Sequence, residues 1–195
     1  MQLHYVSRAE YQSRSSAEFI DQLHVRFGEF YFIPEGGTNA LAIQGCVEFG
    51  EKLVREMDFD VLCLPVGTGG TMAGILQALR PHQQVIGFSA LKDGGFLEAE
   101  IKKWLGSTVT ASWRLETRFH FGGYAKTTKE LDAFLDAQET VNQLPLDPVY
   151  TGKALYGALE LVRKGEIQRG STVLVIHTGG LQGRATIQKD PGVPR

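Results

Sequence analysis

Gly67-Thr68-Gly69-Gly70-Thr71 is the stretch of this sequence whose residue types are best suited to chemistry. The glycines let backbone N–H groups approach an anion with no Cβ in the way, and the two threonines add hydroxyl donors. A helix starting here would contribute the positive end of its dipole. The guest that such a loop fits is a phosphate. The lysine of a Walker A loop is missing and the spacing is not G-x-G-x-x-G, which argues against a nucleoside triphosphatase or a dinucleotide fingerprint. The same glycines also suit a tight turn that serves packing alone.

The flanking residues must position the loop. Val61 to Leu64 is an apolar run of strand length, and Met72, Ile75, Leu76 and Leu79 follow at helical spacing. Strand, glycine turn and helix recur along the chain. Leu3 to Val6 reads as a strand, with Ser7 and Glu10 as the capping box of a following helix. Glu18 to Phe27 continues a helical pattern. Glu29 to Ile33 reads as a strand leading through Pro34 to a second glycine turn at Glu35-Gly36-Gly37-Thr38-Asn39, and then to a helix with Ile43, Val47, Val54 and Met57 on one face.

Beyond the central loop, Gln84 to Ser89 is a strand and Gly94 to Leu105 a helix, while Trp113 to His120 suits a strand or an extended connection. Thr127 and Glu130 form a capping box for a helix through Leu131, Phe134, Leu135 and Val141. Two prolines in Leu144-Pro145-Leu146-Asp147-Pro148 end it. A helix using Leu155, Leu159 and Val162 follows, with Lys164-Gly165 as its stop; Thr172 to His177 is a buried-type strand ending in Thr178-Gly179-Gly180. The tail from Asp190 to Arg195 should fray.

This alternation predicts an α/β fold with a mainly parallel sheet covered on both faces. Ligands of such sheets bind beyond the carboxyl ends of the strands, where the turns at Gly36, Gly67 and Gly179 are expected. With 43% hydrophobic and 22% charged residues, the 195-residue chain has the composition of a globular protein with a sizeable core. A net charge of -2 gives no electrostatic reason for nucleic acid or a membrane surface as partner. Cys46 and Cys63 read as small core residues of a reducing, cytoplasmic setting, and the five histidines have no metal-ligand spacing.

Four motifs in order, Pro34 to Asn39, Gly67 to Thr71, Asp147-Pro148-Val149-Tyr150-Thr151-Gly152-Lys153 and His177 to Gly180, resemble the 1-aminocyclopropane-1-carboxylate deaminase and D-cysteine desulfhydrase family. Its members are pyridoxal 5'-phosphate enzymes of the tryptophan-synthase-β-like fold (fold type II), three-layered and acting on amino acids. The resemblance runs from about Leu3 to Gly183. It implies that residues 1–34 are a remnant of a small domain and its connection, and residues 35–195 the large cofactor-binding α/β domain.

By the same resemblance, Gly67, Thr68, Gly69, Gly70 and Thr71 hold the cofactor's phosphate, Thr178 meets its pyridine nitrogen, and Thr151 and Gly179 complete the cofactor site. A hydroxyl at Thr178, in place of a carboxylate, would not force protonation of the ring. Tyr124 and Tyr150 correspond to the two active-site tyrosines, one of them exchanging protons. Read without the resemblance, each tyrosine equally suits aromatic packing at a loop, and Thr178 suits a helix cap.

Thr151 separates two branches of the family, because the ring-opening deaminases typically carry Glu there and the D-cysteine desulfhydrases Thr. The implied reaction is β-elimination, D-cysteine giving pyruvate, hydrogen sulfide and ammonia, with ring-opening deamination as the alternative and a homodimer as the assembly. The family's Schiff-base lysine, in an Asn-Lys context followed by a glycine and serine-rich segment, has no counterpart here. The chain therefore reads as N-terminally truncated and inactive by itself, with Lys153 a surface or helix-start lysine. A non-catalytic phosphate or nucleotide-binding module would use the same glycine loop. A threonine dehydratase or cysteine synthase relative would share the loop but not the Tyr150 to Lys153 run.

Overall fold

In the computed structural model, which describes residues 2–106 and 109–182, the chain divides into two compact units, Met1–Asn39 and Ala40–Arg195. The expectations for Gly183 and for the tail from Asp190 lie outside the described residues.

In the first unit the Ser7–Glu10 capping box forms and starts helix α1 (Arg8–Gln12), and Ser16 caps α2 (Ala17–Phe27). The two strands expected here do not form. Neither the run from Leu3 to Val6 nor that from Glu29 to Ile33 belongs to a sheet among the described residues. Alternating apolar residues become a strand only where a second backbone supplies the ladder, and Tyr5, Tyr31 and Ile33 stay exposed. Gly36 therefore does not follow a strand; it sits at φ 70° in a short 3₁₀ turn, Glu35–Gly37.

The second unit holds a four-stranded parallel sheet in the order β3-β2-β1-β4, built from β1 (Val61–Val66), β2 (Gln84–Ser89), β3 (Ser112–Glu116) and β4 (Val173–Val175). All six residues of β1 are buried, as a central strand covered on both faces requires. Its side chains alternate between two cores. Leu62, Leu64 and Val66 join the core that contains Ile43 of α3 (Ala40–Glu56), Met72 and Ile75 of α4 (Gly70–Ala78), and Leu97 and Ile101 of α5 (Leu97–Trp104). Val61 and Cys63 join the opposite core, with Ala154, Ala158 and Leu161 of α7 (Thr151–Arg163). Helices thus cover both faces, giving the expected three-layer α/β fold. A third, smaller core joins α6 (Lys129–Asn142) to α7 through Leu131, Leu135 and Leu146.

Three local expectations are corrected. The cap of α6 is Thr128, whose hydroxyl accepts from the Leu131 N–H, so the helix starts one residue later than a Thr127 box would place it. The Gly94–Leu105 helix opens as a 3₁₀ turn, Gly94–Phe96, before α5 begins. In α7 the buried face is the small-residue side, Gly152, Ala154, Gly157 and Ala158, with Leu161, while Leu159 and Val162 are exposed. Close approach to the sheet decided this: a Cβ at Gly157 would stand 2.5 Å from the Phe88 ring of β2, too near for any larger residue.

Helices α3 and α4 cross as closely. A Cβ at Gly74 would overlap the Cys46 side chain and stand 2.7 Å from the Ile43 carbonyl oxygen, which is backbone and cannot swing aside. Overpacking of this kind costs about 1–3 kcal/mol. Gly74→Ala is expected to lower the urea midpoint correspondingly with an unchanged m-value, whereas Gly95→Ala, at a position with nothing within 4 Å, leaves it in place.

Candidate functional site

The chain leaves the carboxyl end of β1 straight into Gly67, and β4, the other neighbour of β1, ends earlier, opposite Cys63. From β1 the chain winds to β2 and β3 on one side and reaches β4 on the other, so this is the point where the strand order reverses. Crevices form at such points. Pro65 helps open this one. Cys63 turns its carbonyl to β4, accepting from the Ile176 N–H at 2.9 Å, and two residues on, Pro65 has no N–H to offer the same neighbour. The β1–β4 register accordingly stops at Cys63 and Val175.

The glycine loop bends into α4 at Gly69, which caps the helix in the left-handed conformation, φ 89°. A Cβ there would stand 2.6 Å from the Ile101 side chain, so only glycine fits on two counts. No side chain caps α4, and its first intrahelical bond recorded at the cap runs from the Ala73 N–H to the Gly69 carbonyl, 2.9 Å. Amides of the first turn and the helix dipole are thus directed out of the helix end, the arrangement that suits an anion. Thr68 and Thr71 are exposed at the mouth, and Gly69 and Gly70 form its buried floor.

Tyr150 closes one side. A Cβ on Gly67 would stand 3.3 Å from the Tyr150 ring and 3.4 Å from its hydroxyl oxygen, so the glycine permits the contact. Tyr124 meets the Tyr150 ring edge-on, centroids 6.0 Å apart at 69°. The two tyrosines singled out in the sequence are therefore brought together, next to the loop.

Asp147 is a residue the sequence reading passed over, and it holds this arrangement. It is 2% exposed. One carboxylate oxygen accepts from the Val149 and Tyr150 N–H groups, 2.9 and 2.8 Å; the other accepts from the Thr151 N–H and hydroxyl, 2.8 and 2.6 Å. The Thr151 hydroxyl oxygen accepts in turn from the Asp147 N–H at 3.0 Å, so this hydroxyl is engaged with Asp147. The carboxylate serves the start of α7 as a cap from three residues before Tyr150, which has no side-chain cap bond of its own. An acid just ahead of a helix start was the available signal.

The segment after β4 lies against the same carboxylate. A Cβ at Gly180 would stand 3.3 Å from the Asp147 carboxyl carbon. His177 is tied on both ring nitrogens: the Gly179 N–H donates to Nδ1 at 3.0 Å, which leaves the proton on Nε2, donated to the Pro145 carbonyl at 2.9 Å. Thr178 is exposed between them, and Gly179 has φ 87°. Among the described residues no group of His, Cys, Asp and Glu is arranged to hold a metal, and no helix is long and apolar enough to cross a membrane.

Lys153 overturns the expectation of a surface lysine. It is 1% exposed, and its Nζ donates to the carbonyls of His120 at 2.8 Å and Gly123 at 2.7 Å. Burial holds its pKa down to about 8, against the opposing pull of the Asp147 charge. On the sheet face that α7 covers, burial pushes the Cys63 thiol up to about 12, which fits an inert core cysteine. The lysine, by contrast, sits next to the site.

The chain is similar to proteins of known sequence and, in its fold, to a solved structure. A family model described as pyridoxal-phosphate dependent enzyme matches residues 2–179. The Arabidopsis thaliana protein named bifunctional D-cysteine desulfhydrase/1-aminocyclopropane-1-carboxylate deaminase, mitochondrial, is 31% identical over 202 residues, covering 93% of this chain and 50% of its own length. A Pyrococcus furiosus protein provisionally named 1-aminocyclopropane-1-carboxylate deaminase is 34% identical over 168 residues, covering 78% of this chain and 50% of its own. A crystal structure described as an ACC deaminase homologue superposes with a TM-score of 0.76 at 25% identity, over 96% of this chain and 62% of that one. The chain spans about half the length of the curated relatives it matches.

The lowered pKa of Lys153 fixes the sign of a pH effect. Between about 8 and the ordinary value of 10.5 the unfolded chain binds the proton that the folded chain has released, so this lysine's penalty on stability is full below about 8 and is lifted as pH rises to 10.5. Cys63, with its pKa raised, acts in the opposite direction above its ordinary value of 9.0. The difference in unfolding free energy between wild type and K153M should therefore shift in favour of wild type from pH 8 to pH 10. A difference that stays flat in parallel urea titrations would mean that the lysine is not held in a desolvated place.

Proposed function

The chain belongs to the pyridoxal-phosphate dependent enzyme family, and from that premise we propose that its site serves β-elimination from a small amino acid, of the D-cysteine desulfhydrase kind. The observation that carries the reading is the Tyr150 ring against Gly67, at the mouth of a helix end that no side chain caps. The residues fit the group. Backbone amides at Gly67, Gly69 and Gly70, with the hydroxyls of Thr68 and Thr71, would hold the phosphate. Thr178 and Gly179, in the segment that follows β4, would stand at the ring nitrogen and offer a hydroxyl rather than a carboxylate. When bound, the cofactor supplies an electron sink that acidifies the α-C–H of the amino acid joined to it.

The chain's own residues would then orient and move protons. Tyr150, fixed by Asp147 through its N–H, faces the loop, and Tyr124 backs it edge-on. Either hydroxyl can carry a proton between substrate and solvent. Thr151 favours D-cysteine, which with water gives pyruvate, hydrogen sulfide and ammonia. Ring-opening deamination is the second reading, and the name of the Arabidopsis relative joins the two activities. A homodimer and a cytosolic setting go with the reading.

The 195-residue chain by itself should bind the cofactor reversibly and turn over little or nothing. The family's Schiff-base lysine finds no match in it, and the ammonium of Lys153 is occupied by two backbone carbonyls. Pyridoxal phosphate should perturb the tyrosine signals and be displaced by inorganic phosphate, and borohydride should fix none of it onto a lysine. Assays with D-cysteine, L-serine and aminocyclopropane carboxylate should register no product. Sulfide release, or a lysine adduct after borohydride, would overturn the inactivity; uptake of a nucleotide with indifference to pyridoxal phosphate would overturn the cofactor.

A charge reversal tests the seat separately. Thr71 is exposed in the first turn of α4, where an acidic side chain favours the helix but repels a bound anion. Thr71→Asp should weaken phosphate and pyridoxal phosphate binding by about tenfold or more, with an unchanged or slightly raised Tm. Equal affinities for wild type and T71D in calorimetry would remove the loop from the site.

A further inference from the structure

We infer that Lys153 is a positioning residue: its buried ammonium, acting through the carbonyls of His120 and Gly123, holds Tyr124 edge-on to Tyr150 beside the Gly67–Thr71 loop. The bearing of this on catalysis rests on the function proposed above, while the positioning itself does not.

Apart from those two carbonyls and the pull of the Asp147 charge, the site of Lys153 opposes a lysine. The residue is 1% exposed, and it is the third of α7, where the helix dipole disfavours a cation. Its neighbours in sequence, Gly152 and Ala154, are core residues. A methionine would fill the same volume without desolvating a charge. Neutralising Asp147 does not account for it either. That carboxylate already accepts from three backbone N–H groups and the Thr151 hydroxyl, and Nζ is bonded elsewhere.

What the ammonium holds is a loop that sterics alone would not hold. Four of its five residues from Phe121 to Ala125 have positive φ: Phe121 at 51°, Gly122 at 94°, Gly123 at 118° and Ala125 at 52°. Two of these four are not glycine, and the left-handed region is sterically unfavourable for such residues. Strain of this kind persists where surrounding bonds over-determine the backbone. The Gly123 N–H donates to the His120 carbonyl at 3.0 Å, and the Lys126 N–H to the Gly123 carbonyl at 3.1 Å. These same two oxygens also receive Nζ, at 2.8 and 2.7 Å. One cation therefore joins both turns of the loop to α7, with charge-assisted bonds stronger than the neutral ones they supplement.

Tyr124 is the one residue of this loop with φ outside the positive set, and it is 57% exposed. With so much of its surface in solvent, its ring is aimed mainly by its backbone and by its contact with Tyr150. Tyr150 is itself attached to α7, three residues before Lys153. The lysine thus sets the distance between two tyrosines that reach the site from different segments.

The test reads ring contact in the 195-residue chain with ring-labelled tyrosine. In wild type, cross-relaxation between the Tyr124 and Tyr150 rings should be present, assigned with Y124F and Y150F. In K153M it should fall at least threefold, with the affinity for inorganic phosphate changed by less than twofold. K153R, which keeps the charge and the donors, should retain more than half of the contact. An unchanged contact in folded K153M would overturn the inference. So would a folded K153R that loses the contact as far as K153M, because charge and donors are the claimed cause. Should K153M not fold, K153Q, a shorter and neutral donor, is read by the same criterion. Adding pyridoxal phosphate to wild type reads the proposed function separately: no uptake removes that reading while the ring contact still decides the role of Lys153.

Discussion

A single buried carboxylate, that of Asp147, keeps this site together. It gathers the backbone N–H groups of Val149, Tyr150 and Thr151, and its other side lies against Gly180 beyond β4. A buried charge is stable only when enough donors replace its water, and here the donors belong to the segment that must be positioned. Satisfying Asp147 and aiming Tyr150 at Gly67 are thus one event. Three pieces of chain far apart in sequence, the glycine loop, the start of α7 and the end of β4, meet around it.

Charge balance follows from the same arrangement. Two helices, α4 and α7, begin near Gly67, and each brings the positive end of its dipole. Asp147 answers that of α7. The cation of Lys153 is directed away onto backbone carbonyls. The end of α4, which has no side-chain cap, is then the electropositive feature that faces the crevice. Pro65 contributes by withholding an N–H from β4, so the two strands part where an open space is needed.

Close packing supports this geometry from beneath. Gly74 lets α3 and α4 approach, Gly87 makes room on β2 for Met72 and Val66, and Gly157 lets α7 settle on Phe88. These contacts fix where the first turn of α4 and the first turn of α7 stand relative to the sheet. A loop of glycines is aimed only as well as the elements on either side of it.

The sequence by itself determined the parts that depend on local pattern. The apolar run at Val61, the glycine turn and the 3.6-residue spacing after it specify strand, loop and helix because burial and backbone sterics act over a few residues. The Ser7–Glu10 box formed for the same reason, since its partners are three residues apart. The order of four motifs carried the family, and with it the cofactor. Tertiary structure alone decided the rest. Leu3 to Val6 and Glu29 to Ile33 have strand-like side chains but join no ladder among the described residues, α7 buries its glycines and alanines instead of Leu159 and Val162, and Lys153 is inside. Whether a lysine is buried depends on acceptors more than thirty residues away in sequence, at His120, and no local pattern carries that information.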